Sequence, residues 1–150
     1  MEEKRDRLIQ LDFRKSAIKR QIMNCINKKN YRAGVYVALN VKTVGIEDDI
    51  KDVIRELSLE DYLDKNVPFR FTQNEKRVNF KEGSSIKIVQ ANECARGNKF
   101  HDIIYDHMIE DDMVHNIVVP SFVPYWDNSC EPPIRDDKTR IWFRLVECEV

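Results

Sequence analysis

The chain has no apolar run near the roughly 20 residues that a membrane span needs. Its opening, MEEKRDR, is charged and has no apolar core behind it. Neither a membrane anchor nor a secretory leader is therefore expected. The four cysteines, Cys25, Cys94, Cys130 and Cys148, include no closely spaced pair. That excludes a zinc knuckle and a CxxC redox motif and leaves reduced thiols of a cytoplasmic protein as the expectation. A formal net charge of -1 excludes a global field toward nucleic acid or anionic membrane. There is no internal repeat and no low-complexity tract, so a solenoid is not expected.

What is present is a globular composition, 42% apolar and 34% charged over 150 residues, most simply one domain spanning 1–150. Charge is uneven: Met1 to Lys29 holds nine Lys/Arg against four Asp/Glu. In that stretch Leu8, Leu11, Ile18, Ile22 and Cys25 recur at three and four, so the spacing predicts an amphipathic helix over 2–29. Its other face carries Arg5, Arg14, Lys15, Lys19 and Arg20, either a solvated basic face or a surface for phosphate, nucleic acid or a protein partner. Val35 to Leu39 is a continuous apolar run of the buried parallel-strand kind. Ile46, Ile50, Val53, Ile54 and Leu57 return to helical spacing, and Ser58 with Asp61 predicts a second short helix through Leu63.

Val78–Phe80 and Ile86–Val89 flank the Gly83 connection and predict a β-hairpin. Phe100 to Ile104 reads as the next strand, and Asn116 to Val119, stopped by Pro120, as another. Residues 123–138, with Pro124, Pro132 and Pro133, read as an irregular loop. A final strand pattern runs through Ile141, Phe143 and Leu145. Strands separated by helical segments argue for an α/β fold.

The centre of the chain resembles a known family. Phe80 to Ile86 (FKEGSSI), the Arg96-Gly97-Asn98 corner and the strand Phe100 to Asp106 follow the order seen in the ATPase core of the large terminase subunit, the DNA-packaging motor of tailed phages. Asn116 to Ser121 is similar to that family's coupling motif, an apolar strand ending in small hydroxyls and proline. The resemblance covers roughly Ala33 to Tyr125. It implies a P-loop-NTPase-like, mostly parallel sheet with a β-hairpin and flanking helices, reduced in size.

Phosphoryl transfer needs a backbone cradle and a Lys for the phosphates, a hydroxyl and an acid for Mg²⁺, and a group that orients water. By the resemblance, Lys15 and Ser16 match the end of a phosphate loop, within Ile9 to Ser16, but Ile9 and Arg14 stand where that loop has glycines. Without glycine the backbone N–H groups do not readily turn onto a phosphate. Asp106 matches the Mg²⁺-side acid, and His107 stands where the family has its catalytic Glu. Arg96 matches the Arg-Gly corner. The resemblance therefore implies a phage-type protein with a degenerate ATPase site that acts by binding a protein or nucleic-acid partner, in the host cytoplasm. The alternatives are an active NTPase using Mg²⁺ and ATP, and a small phage inhibitor of a host system.

His101, Asp102, Asp106, His107, Glu110, Asp111 and Asp112 crowd together, yet their spacing follows no zinc rule. On a strand, His101 and Asp102 would face opposite ways. Tyr125, Trp126 and Trp142 read as lids over a core edge or as anchors for a partner.

Overall fold

A computed structural model describes residues 2–39, 42–73, 75–92, 97–127, 134–136 and 142–145; before Arg14 and after Tyr125 only the backbone is described. The chain opens on α1 (Glu2–Asn27), enters β1 (Arg32–Val37) and returns through α2 (Val44–Glu56). A single 3₁₀ turn at Glu60–Tyr62 takes the place of the second short helix expected there. Three strands then meander, β2 (Phe69–Phe71), β3 (Lys76–Asn79) and β4 (Ser85–Gln90), before β5 (Asp102–Asp106).

These strands and β8 (Trp142–Leu145) form one six-stranded sheet of order β2-β3-β4-β1-β5-β8. The ladders β4–β1, β1–β5 and β5–β8 are parallel, and β2–β3 and β3–β4 are antiparallel. The protein is thus an α/β fold on a mixed sheet.

β1 lies in the middle and is buried along most of its length, which is why it reads as a continuous apolar run. Its odd-numbered residues, Ala33, Val35 and Val37, face α1 and α2, packing with Ile18, Ile22, Ile46, Ile50 and Ile104. Tyr36 faces the other way, with Phe100, Ile103, Ile117 and Val118.

Two expectations are corrected here. Asn116–Val119 is not a strand. It belongs to helical turns that begin with α3 (Asp111–Met113) and continue as a π turn (Val114–Val118) and a 3₁₀ turn (Val119–Ser121). Its apolar residues Ile117 and Val118 are buried against the sheet's second face, and a short apolar run cannot by itself tell helix from strand. Residues 123–138 are also not wholly loop: β6 (Tyr125–Asp127) and β7 (Ile134–Asp136) pair as an antiparallel ribbon.

Among the described residues no helix is long and apolar enough to cross a membrane.

Candidate functional site at the carboxyl edge of the sheet

In open α/β sheets, ligands bind outside the carboxyl ends of strands where successive connections leave toward opposite faces. β1 and β5 are neighbours of this kind. The connection after β1 leads to α2 on one face, and the connection after β5 leads to Ile109, Ile117 and Val118 on the other. The first connection ends at Thr43 before α2, and the second begins at Asp106 and His107.

Asp106 ends β5 and is fully buried. Its Oδ1 accepts the N–H of Met108 at 3.0 Å and lies 3.4 Å from Nδ1 of the exposed His107. Among the described residues its Oδ2 has no hydrogen-bond partner. Asp106 shares parity with Asp102 and Ile104, so it projects toward the face that carries α1 and α2.

Thr43 is the residue before the first turn of α2, and the backbone N–H groups at that end form the place where a phosphate would dock. A carboxylate of the first turn lies close by. Glu47 is buried, accepts the Thr43 hydroxyl at 3.2 Å and lies 3.6 Å from Lys76 Nζ. A buried carboxylate in the first turn answers the positive end of the helix dipole.

A polar cleft of about 260 Å³ opens on the β4 side of β1, walled by Thr43, Gln73, Lys76, Lys87, Gln90 and Asn92. Asp106 is not among its walls. The rim of the carboxyl edge also exposes large apolar groups: Leu39 at 53%, Val44 at 58% and Met108 at 50%.

Lys15 and Ser16 are not part of this edge. α1 is one continuous helix, so both residues sit mid-helix, where backbone N–H groups are already bonded. Lys15 donates to Glu56 at 3.0 Å, and this bond raises its pKa. Arg14 does not belong to a solvated basic face: it is buried and bonds Asp49 of α2 at 2.7 Å. Arg96 falls outside the described residues. The structure thus keeps Asp106 and His107 together at the edge and separates Lys15 and Ser16 from them.

The groups that sequence reasoning missed are Thr43 and Glu47, bonded to each other at the start of α2. A hydroxyl and an acid four apart at a helix start were their local signal. No group of three or more His, Cys, Asp or Glu side chains is placed to hold a metal ion among the described residues.

At the opposite, amino edge the chain builds a buried polar network. Asp102 accepts Gln21 Nε2 at 2.7 Å and the Tyr31 hydroxyl at 2.8 Å. Burial raises its pKa, against the hydrogen bonds from Gln21, Tyr31 and Asn24. His101 precedes β5, so strand alternation does not govern it. Its ring lies 5.3 Å from that of Tyr31, and Nδ1 is 3.2 Å from the Val123 carbonyl. His101 and Asp102 therefore converge on Tyr31 instead of facing apart. Burial lowers the His101 pKa, and burial followed by the Asp102 charge pushes the Cys25 thiol well up.

No family model, no curated protein and no solved structure matches this chain.

Proposed function

We propose that the chain is a phage-type protein built like a terminase ATPase core, without phosphoryl-transfer activity, that binds a protein partner at its carboxyl edge. The order of the Gly83 hairpin, the Arg96-Gly97 corner and the Asp106-tipped strand supports the ancestry. The helical Asn116–Val119 removes the coupling-like strand from that support. The observation that carries the loss of activity is Glu47. Its buried carboxylate, in the first turn of α2, engages both the Thr43 hydroxyl and Lys76, groups a bound phosphate would need. His107 beside Asp106 is a poor substitute for a carboxylate base. The residues present therefore do not fit a Mg²⁺–ATP complex. The exposed Leu39, Val44 and Met108 suit an apolar contact better than a phosphate.

A ligand of the native state raises its melting temperature. Titration with ATP and Mg²⁺ is expected to leave it unchanged. An upward shift that disappears in Lys42→Ala would sink the proposal. Such a shift would favour the second reading, an active NTPase, which the unpartnered Oδ2 of Asp106 supports. Steady hydrolysis abolished by Asp106→Asn would establish it. For the partner, Leu39→Glu with Met108→Glu is expected to abolish capture of whatever protein the wild type retains; retention by the variant would remove this rim from the proposal.

A further inference from the structure

The half of the sheet formed by β2, β3 and β4 has one face turned away from the helices. On the helical face lie Val78, Ile86 and Ile88, with Lys51 of α2 over the rings of Phe69 and Phe71. Alternation then places Arg70, Arg77 and Lys87 on the opposite face. The register puts them in one line: Arg70 pairs with Arg77 across β2–β3, and Arg77 pairs with Lys87 across β3–β4. The line ends at β1, where Lys87 stands beside Gly34, roofed by the Phe100 ring.

Like charges directly opposite one another destabilise a sheet. Among the described residues one acid answers this row: Glu75 accepts Arg70 at 3.3 Å and also pairs with Arg77. Lys87 donates to the neutral Asn98 at 3.1 Å. Arg70 and Arg77 remain 55% and 38% exposed, and Arg32, also exposed, starts β1 with the same parity. The helical turns after β5 cover the β1–β5 half of this face, where Tyr36 and Ile103 pack.

We propose that the Arg70–Arg77–Lys87 row on the open face of the β2–β4 meander is a binding surface for the phosphate backbone of a nucleic acid. Three strands at about 4.8 Å spacing set the bases of the three side chains over about 10 Å. Phosphates of one DNA strand recur about every 3.4 Å along the axis, so the row meets a short run of them. The row carries no aromatic side chain on which a base could stack, so recognition is of the backbone and independent of sequence. Lys87 also walls the cleft at the carboxyl edge, whereas Arg70 and Arg77 do not, so DNA titration of the Arg70 and Arg77 variants reads this surface apart from nucleotide titration there.

The test is binding of a short fluorescent DNA duplex of mixed sequence to the full chain at several salt concentrations. Each phosphate contact contributes about 0.9 to the slope of log affinity against log salt. Arg70→Gln, Arg77→Gln and Lys87→Gln together should weaken binding and reduce that slope by about one per cation. The charge-keeping pair Arg70→Lys and Arg77→Lys should retain both, which separates lost charge from lost folding. Lys19→Gln with Arg20→Gln, on exposed α1 positions, should change neither. Unchanged binding in the triple glutamine variant would overturn the proposal. So would equal competition by polyglutamate, which would assign the row to acidic proteins.

Discussion

Replacing Gly34 by alanine would put a methyl carbon 2.4 Å from Cδ2 of Phe100. No real Cβ tolerates that contact, and the ring is wedged between Tyr36 and the turns after β5. The expected cost is about 1–3 kcal/mol, read as a fall in melting temperature of about 2–4 °C per kcal/mol.

Single titrating groups at the amino edge have signs that can be worked out. The folded pKa of His101 is depressed, so its contribution to stability is present above the unfolded value of about 6.5 and is lost as pH falls through the folded value. The folded pKa of Asp102 is raised, so its contribution is present below about 3.9 and is lost as pH rises through the folded value. His101→Gln should therefore flatten the loss of stability below pH 6.5. Asp102→Asn should flatten the loss above pH 4. Melting temperature against pH for the three proteins checks both slopes, and a wild-type curve unchanged by either substitution would refute the assignment.

At the scale of elements, α1 is fastened to α2 by charge as well as by Ile18 and Ile50. Arg14 reaches Asp49 from a buried position, with its guanidinium beside Gly45 at the start of α2. Arg14→Ala should cost about 2 kcal/mol by orphaning a part-buried carboxylate. Arg14→Ala with Asp49→Ala should cost less than the sum of the single changes, as a double-mutant cycle would measure.

Legibility in the sequence also varied by element. β1, α2 and the β3–β4 hairpin were readable because each had a clean period or an unbroken apolar run with a turn signal. Phe69–Phe71 was not, since three residues after a proline carry no period. Asn116–Val119 was misread because a four-residue apolar run before proline fits a strand end as well as a helical turn, and Pro120 suits the start of a 3₁₀ turn. Asp106 and His107 were legible as a strand tip. Arg14 was not legible as buried, because a salt bridge between residues 35 apart leaves no local pattern.

At the scale of the molecule the two edges of the sheet differ in kind. The amino edge is closed by Asp102, Tyr31, Gln21 and the Tyr125 hydroxyl, which donates to the Lys29 carbonyl. The carboxyl edge exposes Leu39, Val44 and Met108 beside a buried acid with an unused oxygen. This asymmetry follows from the chain path, which brings the turns before β1 and β5 together and sends those after them to opposite faces. Native-state amide exchange should accordingly be slowest in β1, β4 and β5 and fast in the turns after β1 and β5. Equal protection at both edges would contradict it.

The central place of β1 also sets a timetable. Its register partners arrive late: Tyr31, just before it, bonds Ser84, 53 residues further on. At translation rates of about 5–20 residues per second, that interval is roughly 3–10 s. During it the central strand of the sheet has been made but has no neighbour, and α1 and α2 are the described helices able to shelter it. Closure of a long loop must precede either ladder of β1, which places refolding toward the slow, long-range class. A nascent chain stalled before Ser84 would expose β1 as a sticky edge, which makes the early helices guardians of synthesis as well as walls of the finished core.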